Sequence, residues 1–323
     1  MPPHPPFATD DPPAPGHIPI MVEQILDLLA PKPGETYIDL TIGRAGHALA
    51  VAPKLSANGS LIAFDLDQSN LTFSKARLKR EILDSRRPTL VFHHTNFAAA
   101  PDISAQTDQK ADLVLADLGF ASSQMDDPNR GFAFSSDGPL DMRLDPSARL
   151  TAEQVVNQSS EREIADLIFK YGEDPFARKI ARTIVADRQN QPIKTTAQLA
   201  RTVRNAYGSR ARQSRMHPAT RTFMALRIAV NNELANLEAL IHHIADPDLA
   251  ARWLNPRARI AFLSFHSLED RIIKYLINDL HRDGRAEKLS RKLIKPGDDE
   301  IRKNPRARSA KLRAFRLLEP KHT

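Results

Sequence analysis

With 323 residues, 41% of them apolar and 26% charged, the chain has material for a sizeable buried core in one large domain or two. It has no cysteine, which excludes disulfides, thiolate chemistry and cysteine-ligated zinc and fits a cytoplasmic setting. No apolar run reaches membrane-spanning length and no signal peptide is legible, so the net charge of +7 suggests a polyanionic partner and not a membrane.

Residues 1–16 hold seven prolines and are expected to form a disordered tail. Val22, Ile25, Leu26 and Leu29 then mark one face of an amphipathic helix, stopped by Pro31-Lys32-Pro33-Gly34. Tyr37 to Leu40 reads as an apolar strand running into a small-residue turn, with a helix over Ala48 to Leu55. Leu61 to Asp65 is a second strand, and a helix follows from about Ser69 to Leu83. Leu90 to His94 is a third strand, with Asn96-Phe97 just beyond it. Asp112 to Gly119 is a fourth, and its continuous apolar run fits a strand buried on both faces of a parallel sheet.

From about Asp126 to Ala225 the pattern is helical. Ser160 and Glu163 form a capping box, Asp174-Pro175 opens another helix, Thr195 to Tyr207 makes a further one, and a long helix is expected from His217-Pro218 to about Ile244. The sheet resumes at Ile260 to His266, followed by a helix over Ser267 to Leu280 and an alternating, strand-like stretch at 312–317. The expected fold class is α/β, a doubly wound, mostly parallel sheet with an all-helical insertion. The expected division is 17–125 and 226–323 for the sheet domain and 126–225 for the insertion. Residues 281–323 carry 14 Lys/Arg against 6 Asp/Glu, so the basic charge is a C-terminal feature, with a smaller cluster between Arg201 and Arg215.

The first strand-to-helix turn is the chemical centre of the chain. Such a turn aims backbone N–H groups and a positive helix end at an anionic ligand group. Asp65 lies 19 residues after Gly46, where a βαβ unit places a carboxylate on ribose hydroxyls. A dinucleotide fingerprint needs three glycines, and Thr41-Ile42-Gly43-Arg44-Ala45-Gly46 supplies only the second and third. The alternation Asp39-x-Thr41-x-Gly43-x-Ala45 is instead the pattern of S-adenosylmethionine methyltransferases; a tight turn that binds nothing is the bland alternative. Asp39, Asp65, Phe97 and Asp117 all come from carboxyl ends of strands, where open α/β sheets hold their ligands.

Further segments carry a resemblance: Asp117-Leu-Gly-Phe-Ala-Ser-Ser-Gln124, Arg130-Gly-Phe-Ala-Phe-Ser135, Asp137-Gly-Pro-Leu-Asp-Met-Arg143, His217-Pro-Ala-Thr-Arg-Thr-Phe223, Ser264-Phe-His-Ser-Leu-Glu-Asp-Arg271 and Asn304-Pro-Arg-Ala-Arg-Ser309. Together with Asp39 to His47 they resemble the bacterial ribosomal RNA small subunit methyltransferase H family, from about His17 to the C-terminus. The resemblance implies a class I, Rossmann-like methyltransferase using S-adenosylmethionine to methylate N4 of a cytidine in the decoding region of small-subunit (16S) ribosomal RNA. Carried over by position, cofactor contacts fall on Ala45, Gly46, His47, Asp65, Phe97, Asp117 and Gln124. The family has glycine where this chain has Ala45, and Val-Ser-Ser-Pro where it has Phe120 to Ser123. A backbone contact at Ala45 is expected to need a negative φ.

Asp117, Asp141 and His266 are the catalytic candidates. Asp117 either accepts an N4–H bond and so activates the amine or only positions the cofactor. Asp141 and Arg143 clamp the substrate or pair with each other; His266 acts chemically or caps the turn from strand to helix. His47 has a local cap as its alternative role, and Phe97 a place in the core. No spacing suggests an obligatory metal, and a serine hydrolase lacks its nucleophile elbow here. The expected partner is small-subunit ribosomal RNA, assembled or partly assembled, held along its backbone by the basic end and the Arg201–Arg215 cluster. A homodimer is left open. The rivals are a methyltransferase acting on another RNA or on protein, and a non-catalytic RNA-binding assembly factor.

Overall fold

The computed structural model describes residues 19–107, 109–120, 122–213 and 216–319. The Pro-rich stretch 1–16 lies outside the described residues. Helix α1 (Val22–Leu29) buries Ile25 and Leu29 and ends where Ala30 turns left-handed ahead of Pro31. β1 (Thr36–Asp39), α2 (Gly46–Leu55), β2 (Ser60–Asp65), α3 (Gln68–Glu81), β3 (Thr89–His94), α4 (Ala100–Gln106) and β4 (Ala111–Asp117) then alternate. Parallel strands need such crossovers, and the helices supply them.

Beyond β4 come α5 (Ser122–Asp126), α6 (Ala152–Gln158), α7 (Glu161–Gly172), α8 (Ala177–Asn190) and α9 (Thr196–Tyr207). Capping boxes at Thr151, Ser160 and Thr195 start α6, α7 and α9. Next are α10 (Ala219–Asn231), α11 (Glu233–Ala245) and α12 (Pro247–Trp253), then β5 (Leu254–Ser264), α13 (Ser267–Arg282), β6 (Ala286–Lys288), α14 (Asp298–Lys303) and β7 (Lys311–Leu317).

Some sequence expectations need correction. The long helix from His217 to Ile244 is two helices, because Asn232 takes a φ of 51° between α10 and α11. Side-chain contacts hold the break: Asn231 donates to the Met142 carbonyl at 2.8 Å and accepts from the Leu144 N–H at 2.7 Å. Arg227 grips Glu233 from the other side of it. β5 begins at Leu254, well before Ile260, with an irregular register opposite Ala111 and Leu113. Helices α6 and α12 and the three-residue β6 are too short for periodicity to announce them.

The sheet order is β3-β2-β1-β4-β5-β7-β6, with β7 antiparallel to both its neighbours. This is a doubly wound, mostly parallel sheet of the Rossmann-like kind, with one antiparallel strand, β7, near its edge. Strand residues alternate between two cores. Tyr37, Leu61, Leu113, Leu115 and Leu263 pack under α1 and α2, while Ile38, Ile62, Val114, Ile260 and Phe262 pack under α11 and α13. A third apolar cluster runs from Phe132 to Val230 and includes Ile168, Ile184, Leu199 and Phe223, so α10 carries this helical core past position 225. The strand order reverses between β1 and β4, and at that switch point the carboxyl ends open a crevice. Among the described residues no helix is long and apolar enough to cross a membrane.

Candidate active site

Three acids end three neighbouring strands. Asp39 is buried, accepts from the Tyr37 hydroxyl at 2.9 Å and the Thr41 N–H at 3.2 Å, and burial pushes its carboxyl up to about 6. Thr41 in turn accepts from the Asp117 N–H at 2.8 Å, which fastens the turn after β1 to the end of β4. Asp65 accepts from the Gly43 N–H at 2.9 Å, from the Asp67 N–H at 2.8 Å, and from the Asn70 amide, and burial raises its carboxyl. Four hydrogen bonds from three donors thus end on its two oxygens, and the two from the Asn70 amide are long, at 3.3 Å each.

The turn itself is left-handed twice. Gly43 has a φ of 49° and Ala45 a φ of 61°. The condition of a negative φ at Ala45 is therefore not met, and the residue sits in the conformation that glycine adopts without cost. Gly46 is required for a different reason: a Cβ there would stand 2.8 Å from Pro19, which lies across the turn.

Asp117 is distinct among these acids. Its Oδ1 is buried and without a hydrogen-bond partner among the described residues, and its Oδ2 lies 3.5 Å from His47 Nδ1. Burial, with the nearby Glu269 charge adding to it, raises this carboxyl to about 7. His47 is buried in the first turn of α2 with Nε2 2.8 Å from the Ile20 carbonyl, and burial lowers its pKa.

Gln124 and Arg130 converge on Asp67, at 3.0 Å each. Burial works against the Asp67 charge, but hydrogen bonds from Ser69, Arg130 and Gln124 hold its carboxyl at about 2. Arg130 also donates to the carbonyls of Arg143 and Leu144, so one guanidinium joins the end of β2 to the helical segment. Sequence reasoning quoted Arg130 within a motif and missed this role, since its partner acid lies 63 positions away.

The other candidates are differently placed. Asp141 is clasped two-fold by Arg143, at 2.8 and 2.7 Å, and Nη1 of Arg143 donates to both the Pro146 and Ala148 carbonyls. Of the two roles weighed for this pair, the geometry matches mutual pairing. His266 is the N-cap of α13 in a capping box with Glu269, its Nε2 3.1 Å from Glu269 Oε1. That arrangement matches the cap. Glu233, His266 and Glu269 bring three ligand atoms within 4.8 Å of one another, yet Glu233 is already held by Arg227 through two contacts of 2.8 Å. Phe97, Leu66, Leu118 and Leu237 line a small cleft beside β4 together with the polar Asn96, Asn236 and Glu269.

A profile of the MraW methylase family matches residues 14–318. The chain belongs to that family. The methylase is 46% identical over 300 residues to a protein of Acidobacterium capsulatum called ribosomal RNA small subunit methyltransferase H, covering 92% of this chain and 97% of the other. Proteins of the same name from Koribacter versatilis and Halothermothrix orenii are 43% and 40% identical, over 92% and 94% of this methylase and 93% and 99% of their own lengths. A methylase needs a methyl donor, and S-adenosylmethionine is the one that the turn after β1 leads us to expect. The residues present fit that donor: a strand-to-helix turn, an acid bonded to it, and a carboxyl oxygen with no hydrogen-bond partner among the described residues lie at the carboxyl ends of neighbouring strands.

Proposed function

We propose that this methylase acts in the cytoplasm on N4 of a cytidine in the decoding region of small-subunit ribosomal RNA, in an assembled or partly assembled particle. The relatives' shared name supports the ribosomal substrate. The observation that carries the amine chemistry is Asp117, a strand-end carboxyl near neutrality whose side chain is partly exposed and has no lysine or arginine partner among the described residues.

The exocyclic amine of cytosine is a poor nucleophile because its lone pair is delocalised into the ring. S-adenosylmethionine, when bound, supplies an electrophilic methyl group on a sulfonium. Asp117 accepts the N4–H bond, returns electron density to nitrogen and stabilises the charge that develops there. Gly46 presents backbone to the donor's amino-acid end, near the positive end of α2. Asp65 takes the ribose hydroxyls, Phe97 faces the adenine, and Gln124 fixes Asp67 behind them. Residues 126–225 serve as the substrate-recognition insertion, and the basic C-terminal stretch holds the RNA backbone.

Small ribosomal particles incubated with tritiated donor, then digested to nucleosides, test this reading. Label is expected in N4-methylcytidine; label in another nucleoside, or in protein, overturns it.

A further inference from the structure

The mechanism above leaves His47 without a task, and its surroundings specify one. The Ile20 carbonyl can only accept, so Nε2 carries the imidazole proton and Nδ1 presents a bare lone pair in the neutral ring. That lone pair faces Asp117 Oδ2 at 3.5 Å. Two acceptors facing each other across a buried gap repel until a proton enters between them. The carbonyl that fixes the tautomer is itself fixed. Met21 is buried at a φ of 57°, its N–H donates to Glu300 Oε1 at 2.6 Å, and Pro19 is wedged against Gly46.

The groups around this gap favour a proton in it. Asp39 on β1, bonded to Tyr37, and Glu300 on α14 both act on the imidazole through their charge. Glu269 faces Asp117 from α13. All three acids favour a cation, and no lysine or arginine is in ion-pair contact with His47 or Asp117 among the described residues.

We propose that His47 Nδ1 and Asp117 Oδ2 form a single proton seat, empty in the reactive enzyme and filled by the proton that N4 gives up on methylation. His47 is then a positioning residue that acts through Asp117. The proposal rests on the methyl transfer to an amine put forward above. In the step, the N4 lone pair takes the donor's methyl group, whose bonding electrons stay with the donor sulfur; the N4–H bond breaks with its electrons left on nitrogen, and an Oδ2–H bond forms on Asp117, hydrogen-bonded to Nδ1. The proton leaves to solvent after the product does, through an Asp117 side chain that is 24% exposed. The raised carboxyl of Asp117 and the lowered imidazole of His47 agree with a seat whose two walls compete for one proton.

The test is His47→Gln, whose terminal amide can keep the bond to Ile20 while removing the atom that faces Asp117. Single-turnover methyl transfer by the wild type is expected to rise with pH through one ionisation near neutrality. In His47→Gln the rate should fall about tenfold, and the ionisation should move down by about one pH unit, because the carboxylate no longer faces a lone pair. Donor affinity measured by calorimetry should stay within about twofold. An unshifted profile with weakened donor binding overturns the proposal and leaves His47 a cofactor residue. Nitrogen-15 spectra of the wild-type protein without substrate give a second readout, independent of turnover and of whether the variant folds. The His47 ring should show a protonated Nε2, with an Nδ1 signal that titrates in step with Asp117 and loses that step in Asp117→Asn. A ring protonated at Nδ1 throughout overturns the proposal. Methylation of a different substrate class would fail the reading of the previous section and leave these spectra unchanged.

Discussion

Asp39, Asp65 and Asp117 end strands in the sheet, and burial raises all three carboxyls with no lysine or arginine in contact among the described residues. Asp67, Asp141 and Glu173, on the loops and the helical segment, sit at 3.0, 2.7 and 2.8 Å from Arg130, Arg143 and Arg271, and their carboxyls are all lowered. The paired acids fix one element against another. The unpaired acids cost stability in the empty protein, a cost that a ligand's hydrogen bonds can offset. Unpaired buried charge thus marks the site, and paired charge marks the frame around it.

The sharpest way to break this contrast is Asp117→Asn. Turnover should fall by about a hundredfold or more while donor affinity changes little, because the loss is confined to the transition state. Parallel losses in calorimetry and in single-turnover rate would leave Asp117 a cofactor-positioning group. The frame predicts the opposite pattern at Asp67. Asp67→Ala strands the partly buried Arg130 and should cost about 3 kcal/mol of unfolding free energy in urea titrations.

A pH series separates the two sets next. Asp39 and Asp117 bind protons more tightly folded than unfolded, so the stability they contribute is full below pH 4 or so and is lost as pH rises through about 6 and about 7. The slope is at most about 1.4 kcal/mol per pH unit for each group. Melting curves of Asp117→Asn should show a flatter decline over that window. Asp67 works in the other direction, its contribution present above about pH 4 and lost toward about 2.

Smaller effects are expected at the basic end. Arg306 pairs with Asp126 at the surface, Arg302 with Asp299 and Arg316 with Glu287, so part of this charge is neutralised by the protein's own acids. Arg308 is exposed and has no ion-pair partner among the described residues. Reversing Arg306 and Arg308 to Glu should weaken RNA binding about tenfold and flatten its salt dependence. The melting temperature should hardly move, since exposed pairs contribute about 0.2–1 kcal/mol. A lower melting temperature with an unaltered salt slope would assign both arginines to the frame. The smallest change is Ala45→Gly, which relieves a left-handed alanine and should stabilise the fold by about 1 kcal/mol in the same urea titrations.

The strands and the acids at their ends were legible because β periodicity and a small-residue turn are local signals. Tyr37, Ile38 and Asp39 announce both the strand and where it stops. What stayed hidden involves partners with no local mark. Nothing in the sequence around His47 says that its ring meets the Ile20 carbonyl, and Asp141 with Arg143 looks the same whether it clamps a substrate or closes on itself. His266 was legible as either a cap or a chemical group, and the capping box it forms with Glu269, three residues on, matches the cap. The break at Asn232 was missed because apolar residues continue at helical spacing through it, while the contacts that bend the chain come from Met142 and Leu144.

The place of β7 has a consequence for how the chain is made. Among the described residues β6 meets the sheet only through β7, and β7 follows it in the chain while also pairing with β5. On a translating ribosome, β1 to β5 can assemble in order, but the outer edge of β5 then waits with unpaired N–H and C=O groups until Lys311 to Leu317 emerges. During that interval the nascent protein presents an open strand edge, a hazard for aggregation and a natural docking point for a chaperone.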